Sequence, residues 1–452
     1  KGSKGLRPRD VFNFASMLLS LPRPQSHRPL PVKPSQVALT MFTRMQLSYQ
    51  PHAHPEPAPS PREPDYADFA EPTVSLFVDA PEHLSGVSLT LESWSAEARQ
   101  QGKPFYLHMA GATHPAPGCK SFPRVGTLRF SSYEGLDIPI PDVKAVTDFF
   151  RRHPFDVAHL STPGPMGLLG MRLARDRNVP VCGTYHTDFP RYVRDLTGNA
   201  ELEEVTWDFM RWFYGQMDLV AVPSRATARD LIDHGLDASR LHVVGRGVEQ
   251  QTFSPDHRSE VLRKSWGVLP GETVLLYVGR ISREKNLPLL TEAFRQLRDT
   301  PTRLVVVGDG PYRPEMQNAL QDARVHFTGT LRGADLSAAF ASGDLFVFPS
   351  VTDTFGRVII EAQASGLPVL VSDQGGPQDA ILPGRTGRVV SEITATRFAE
   401  AVRGILQTPG WLPQASHAAR EHARDYTPAA SFNQFWNLHR LALLQQEQAQ
   451  PS

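Results

Sequence analysis

The chain of 452 residues has no surplus of charge: 47 Lys and Arg are matched by 47 Asp and Glu. Phosphate-backbone binding normally needs a basic excess, so this balance gives no case for a nucleic-acid partner. Cysteine is nearly absent, with Cys119 and Cys182 far apart and no C-x-x-C. A disulfide framework and a cysteine zinc site are excluded, and a reducing compartment fits. There is no apolar run of 18 residues, so no segment reads as a transmembrane helix. Also missing are D-x-D, which would hold a metal under a diphosphate, G-x-x-x-x-G-K-[ST], which would mark an NTPase, and G-x-S-x-G, which would mark a hydrolase.

Proline is plentiful in one place. Residues 1–70 hold 12 of the 40 prolines, in runs such as "LPRPQSHRPLPVKP" and "PHAHPEPAPSPREP". Such a stretch forms neither regular helix nor central strand, so 1–71 is expected to be a disordered, proline-rich segment outside the catalytic fold. It opens on "KGSKGLRPRDVFNFASMLLSL", without Met. That opening reads as the end of a cut or fused segment, ahead of a poor signal peptide or a membrane-surface contact.

From about residue 72 apolar, β-branched runs alternate with segments of helical period. "TVSLFVDA", "PFYLHMA", "FDVAHLS", "PVCGTYH", "DLVAVPS" and "RLHVVGRGV" read as strands, with helices between them. The polar, turn-rich "EQQTFSPDHRSEVLRKSWGVLPGE" reads as a hinge. The alternation then restarts with "TVLLYVG", "TRLVVVGDG", "RVHFTG", "DLFVFPS" and "LPVLVS". Strands alternating with helices predict a parallel sheet covered on both faces. The expected α/β fold is two tandem, doubly wound, Rossmann-like domains facing a cleft, at 72–257 and 258–426. A last helix over 427–446 is expected to cross back to the N-terminal domain. In open parallel sheets ligands bind beyond the carboxyl ends of the strands.

The chemistry-bearing residues cluster at those ends. In "VGRISREKN" a strand stops at Gly279, and Arg280 and Lys285 follow; two cations there suit a diphosphate, although solvated loop charges would look the same. In "SVTDTFGRVIIE", Phe355-Gly356 marks a strand–helix turn whose free N–H groups suit an anion or sugar hydroxyls. Asp353 precedes that helix and Glu361 lies one to two turns inside it. Either carboxylate can accept from vicinal hydroxyls; the competing reading is a helix cap and a satisfied buried acid. "TYHTDFP" sets His186 at the end of a strand, near Asp188. Gly86, in "HLSGVS", marks a turn where backbone approaches something closely. In "RVHFTG", Phe327 and Gly329 end a strand whose backbone suits the edge of a base. "VVVGDGPY" reads as a plain turn.

Taken in order, "YHTDFP", "VPS", "GRGVE", "VGRISREKNL" and "TDTFGRVIIE" resemble the retaining GT-B glycosyltransferases of family 4, the last matching its E-x7-E motif. The resemblance covers about 72–446 and is nearest to bacterial mannosyl- and sulfoquinovosyltransferases. It implies hexosyl transfer from a nucleotide-diphosphate sugar, GDP-mannose or a UDP-sugar, to a lipid or glycan hydroxyl, with retention, without a metal and without any other cofactor. Arg280 and Lys285 would hold the diphosphate, Glu361 the ribose, Asp353 the sugar hydroxyls, His186 the sugar near the reaction centre, and Gly86 would pass beneath the diphosphate. Asp353 stands where the family usually has Glu. Arg357 replaces a commonly apolar residue and is expected to add a charge near the donor, the alternative being that it points elsewhere; Glu249 replaces the Asp of the "GVD" turn. A cytoplasmic location, with peripheral contact at the inner face of the membrane, goes with a lipid acceptor. The rival readings are a GT-B-fold sugar-nucleotide epimerase and a non-catalytic nucleotide-sugar-binding protein.

Overall fold

The computed structural model describes residues 71–79, 86–112, 117–129 and 137–449. The proline-rich segment 1–70 lies outside the described residues. Residue 71 does not belong with it: Glu71 pairs with Lys103 and Arg440 and accepts from Trp436 Nε1 at 2.7 Å. The fold therefore begins no later than this acid.

The chain divides into two compact units. The first comprises residues up to Val222, Ala228–Val244 and Phe432–Ser452; the second comprises Pro223–Thr227 and Gly245–Ser431. The division falls at 244/245, not at 257/258. The stretch taken as a hinge belongs to the second unit, because Phe253 and Trp266 are buried in its core and a helix forms at Glu260–Ser265. Polar composition concealed two apolar anchors there.

The first unit carries a seven-stranded sheet. Its strands are β1 (Val74–Phe77), β2 (Phe105–Ala110), β3 (Cys119–Phe122), β6 (Val157–Leu160), β7 (Val181–Thr184), β8 (Leu219–Val222) and β9 (Leu241–Val243). The order is β3-β2-β1-β6-β7-β8-β9, parallel throughout. β4 (Arg124–Arg129) and β5 (Asp137–Pro141) form a separate antiparallel pair. The period-2 geometry of a strand sorts its side chains between two cores. Phe77, Val220 and Val222 join the helices Val143–Phe150, Pro165–Arg177 and Ala200–Tyr214 on one face. Val74, Leu76, Leu219 and Ala221 face the other way. There they meet Leu91 and Trp94 of the helix Gly86–Gln100, and Phe432, Phe435 and Trp436 of the C-terminal helix Pro428–Ala449. Trp94 stacks on Phe435 at 3.9 Å between centroids. The last helix thus adds its apolar face to the first unit's core, although its first residues, up to Ser431, belong to the second unit.

The second unit carries β10 (Thr273–Val278), β11 (Thr302–Val307), β12 (Val325–Gly329), β13 (Leu345–Phe348), β14 (Val369–Ser372) and β15 (Gly387–Val390). The order is β12-β11-β10-β13-β14-β15, again parallel. In each sheet the winding reverses once, between β1 and β6 and between β10 and β13. Crevices open at such points. Among the described residues no helix is long and apolar enough to cross a membrane.

Two histidines in the first unit are buried without charge. His108 donates to or accepts from Ser75 Oγ at 3.1 Å, and His439 Nε2 meets His159 Nδ1 at 2.9 Å. Burial pushes both down to about 3, from an ordinary 6.5. The unfolded chain then binds protons below pH 6.5 that the folded chain refuses until near pH 3. Stability is complete above pH 6.5 and falls as the pH drops toward 3. Asp79 and Asp188, raised to about 6 by burial, work the opposite way below pH 6, so the test compares the wild type with His108→Gln and His439→Gln. The wild type's fall in melting temperature from pH 7.5 to 4.5 is expected to shrink in each variant, and an unchanged fall in both would contradict the neutral, buried state of these histidines.

Candidate functional site

Unit two carries most of the assigned residues, at its β10/β13 reversal. β10 ends at Val278, and Arg280 follows, exposed, with its carbonyl accepting from the Tyr277 hydroxyl at 2.9 Å. Lys285 closes the single 3-10 turn Arg283–Lys285. Its Nζ donates to Asp353 Oδ1 at 2.8 Å, with side chains only 15% and 20% exposed. The two loops are held together by more than this ion pair. Asn286 Nδ2 donates to the Pro349 carbonyl at 3.2 Å, and Thr352 Oγ1 donates to the Glu284 carbonyl at 3.1 Å. Asp353 Oδ2 is buried and has no hydrogen-bond partner among the described residues. A buried carboxylate oxygen left unbonded costs free energy unless a ligand donor completes it.

Two glycine turns support these loops. Asp309 and Gly310 lie against Arg280 and Ile281, with Ile281 N donating to the Asp309 carbonyl at 2.9 Å. A Cβ on Gly308 would stand 2.0 Å from the Gly279 carbonyl oxygen. "GDG" is a turn, as read, but one on which the loop of Arg280 rests. On the other side Gly376 N donates to the Asp353 carbonyl at 2.8 Å, and a Cβ there would stand 1.9 Å from the Thr354 carbonyl oxygen. That same Thr354 oxygen accepts from Ser224 Oγ at 2.8 Å and Thr227 Oγ1 at 3.0 Å. Neither the Gly375-Gly376 pair nor Ser224 and Thr227 was assigned a role from sequence. The Gly doublet after a strand was the available signal.

Phe355 is buried, and Gly356 takes a left-handed φ of 75° to open the helix Arg357–Ala364. Glu361 is 7% exposed inside that helix. Arg357, one turn earlier on the same face, donates from Nε to Glu361 Oε1 at 3.0 Å. Burial pushes the Glu361 carboxyl above its usual range, against the pull of the Arg357 charge. Arg246, from "GRGV", is a further residue missed. It is buried, and burial together with the Arg357 charge brings its guanidinium down to about 9. Phe327 is half-buried on β12, and the Gly329 carbonyl already accepts from Gly308 N at 2.9 Å and Thr328 Oγ1 at 2.7 Å. That carbonyl is satisfied within the protein.

Unit one holds the other two assigned residues. His186 follows β7, half-buried, with its ring 6.3 Å from that of Trp94. Trp94 lies two turns into the helix that begins at Gly86, so one helix links the two positions. A Cβ on Gly86 would meet nothing within 4 Å, so no part of the described chain requires glycine there. Asp188 caps the helix Phe189–Thr197, accepting from Arg191 N at 3.1 Å. Burial first, with Asp230 adding, pushes its carboxyl up to about 6. Asp79, unremarked in the sequence, closes the end of β1. It accepts from Met166 N at 2.6 Å, Gly167 N at 3.3 Å and Thr162 Oγ1 at 2.6 Å, filling the N-terminus of the helix Pro165–Arg177. Burial brings it up to about 6. Among the described residues no three His, Cys, Asp or Glu side chains converge as metal ligands.

The comparisons with known proteins follow this division. Residues 84–252 match the model for Glycosyltransferase Family 4, and 272–408 match that for Glycosyl transferases group 1. A GDP-mannose-dependent alpha-mannosyltransferase of Mycobacterium tuberculosis is 36% identical over 281 residues, 62% of this chain and 69% of the relative. The sulfoquinovosyl transferase SQD2 of Arabidopsis thaliana is 34% identical over 63% of this chain; there the match spans only 56% of the relative's length. Among solved structures, Anabaena HepE in complex with UDP and glucose matches 80% of this chain and 98% of its own, with a TM-score of 0.63 and 19% identity. That likeness establishes the GT-B fold. With one family model on each side of the division and a mannosyltransferase relative of which it spans more than two thirds, the chain belongs to glycosyltransferase family 4.

Proposed function

We propose that the chain transfers a hexose from a nucleotide-diphosphate sugar, GDP-mannose or a UDP-sugar, to a lipid or glycan hydroxyl, with retention and without a metal. The observation that carries this reading is the Lys285–Asp353 pair at the β10/β13 reversal, with Asp353 Oδ2 buried and unbonded. Arg280 and Lys285 supply two positive charges where a diphosphate leaving group would develop negative charge, which is the work a divalent cation does in other transferases. Asp353 would accept from a sugar hydroxyl through Oδ2 while Oδ1 orients Lys285. Glu361 would accept from the ribose hydroxyls, and the family resemblance gives His186 a contact to the sugar. The transition state of such a transfer is oxocarbenium-like, so orientation and stabilisation of the departing charge are the protein's main contributions. Both relatives are transferases, which supports this reading over the epimerase and the non-catalytic binder. Peripheral contact with a membrane is part of the proposal only if the acceptor is a lipid.

The test is a donor screen on the purified protein, reading released UDP or GDP with and without lipid and glycan acceptors. Acceptor-dependent release that survives EDTA is expected. Loss of release with EDTA, regained with Mg²⁺ or Mn²⁺, would overturn the metal-independent part. An epimerised donor formed without acceptor would overturn the transferase itself. The anomeric configuration of the product, by NMR, decides retention.

A further inference from the structure

Arg357 is the departure from the family pattern that the proposed mechanism does not use. Its side chain is 20% exposed and reaches forward one turn along its own helix to a carboxylate 10% exposed. The contact uses Nε and Oε1 only. Both terminal nitrogens of the guanidinium and Glu361 Oε2 lie outside that bond. Arg246 adds a second buried cation close enough for each charge to disfavour the other. Glu361 therefore answers to Arg357, the first residue of its own helix, while Arg357 in turn feels the charge of Arg246.

We infer that Arg357 is the positioning residue of the ribose subsite, holding the Glu361 carboxylate in one orientation through Oε1 so that Oε2 meets the vicinal hydroxyls of the nucleotide. The inference rests on the reading of Glu361 as a donor-binding residue. Its physical basis is the cost of an isolated buried carboxylate, which takes up a proton unless a cation or donors hold it ionised. A protonated Glu361 loses half its capacity to accept from two hydroxyls. Arg357 both keeps the charge and restricts the side-chain rotation that ligand binding would otherwise have to freeze. The other ionisable groups on the packed elements are already engaged. Arg420, on the helix Trp411–Ala423, donates to the Phe253 and Ala364 carbonyls. Asp379, in the turn Gly376–Ala380, accepts from Ala226 N at 2.6 Å. His422 is pushed below its ordinary range by burial and is common to every variant below.

The experiment is calorimetric titration with GDP, UDP and the 2′-deoxy form of whichever binds, at pH 6 to 8.5, on the full chain and on Arg357→Met and Arg357→Lys. The wild type is expected to prefer the ribonucleotide about tenfold or more, with little dependence on pH. Arg357→Met removes the charge that opposes the burial of Glu361, so its carboxyl rises further. Its preference for the ribonucleotide is expected to shrink to about twofold near pH 6 and to recover as the pH rises. Arg357→Lys keeps a charge without the Nε geometry and is expected to fall between the two. Loss of Arg357 also relieves Arg246, whose charge then persists to higher pH, so a change within this window reports on Glu361. If Arg357→Met keeps the full preference at every pH, the positioning role is wrong. If it does not fold, Arg357→Lys with wild-type preference at pH 6 overturns the inference equally. A wild type that binds the 2′-deoxy and ribonucleotides alike would instead overturn the reading of Glu361 itself, whatever the variants do.

Discussion

Replacing Lys285 with alanine is expected to cut turnover at saturating donor by about a hundred- to a thousandfold, the usual cost of removing one charge or donor aimed at a developing anion. Lys285 is set at the end of β10 by a 3-10 turn, and its ammonium group is 15% exposed. The ion pair with Asp353 introduces a rival explanation, since removing Lys285 also strands a half-buried carboxylate. A double-variant cycle separates the two. Asp353→Asn removes the stranded charge, so Lys285→Ala with Asp353→Asn should recover much of the lost thermal stability. If the lysine also serves the donor, the double variant turns over well below Asp353→Asn alone. Turnover near the wild-type level in the single variant, with donor saturating, would refute the diphosphate assignment. Equal turnover in the double variant and in Asp353→Asn alone would reduce Lys285 to a partner for Asp353. Arg280→Ala is a comparison with less structural consequence, because that side chain is exposed. A loss of turnover without a fall in melting temperature is expected there.

Gly376→Ala is expected to abolish most activity although residue 376 itself presents no reactive group. The added Cβ would lie 1.9 Å from the Thr354 carbonyl oxygen and 2.7 Å from Phe355 N, both backbone atoms. No rotamer relieves such a clash, so the 353–356 loop or the turn at 375–376 must move. The Gly376 N–H bond to the Asp353 carbonyl would go with it. Overpacking of this kind costs about 1–3 kcal/mol in stability. Displacing Asp353 by about 1 Å costs on the order of a hundredfold in rate. Gly404→Ala is the control, because a Cβ in the helix Ala395–Leu406 meets only the end of the Arg388 side chain, at 3.3 Å. Kinetics and melting curves on both proteins decide the matter. Full activity in Gly376→Ala would show that the loop is not held by this turn.

The sequence by itself determined the repeated alternation of strand and helix, and with it two doubly wound sheets. Strands such as β10 and β11 are buried on both faces, so they read as unbroken apolar runs wherever the chain carries them. It also placed Arg280, Lys285, Asp353 and Gly356 in the two loops that follow the strands β10 and β13. The segment 119–141 was not legible. β3 is a sheet-edge strand, only Phe122 in it is buried, and β4 and β5 pair only with each other, so none shows the pattern of a strand covered on both faces. The division of the units was misplaced because β9 is three residues long and mostly half-exposed, while the next apolar anchors, Phe253 and Trp266, sit among polar residues. What only the tertiary structure decided was who holds whom. Lys285 meets Asp353 across 68 residues, Gly376 closes on Asp353 from the next strand–turn unit, and Arg246 comes beside Arg357 from more than a hundred residues away. Arg357 and Glu361 stand at helical spacing in the sequence, yet an i, i+4 pair on a solvated face contributes a few tenths of a kcal/mol and determines nothing. Burial, which depends on the whole sheet packed beneath that helix, lowers the local dielectric response and turns the same spacing into a constraint on the charge and orientation of Glu361.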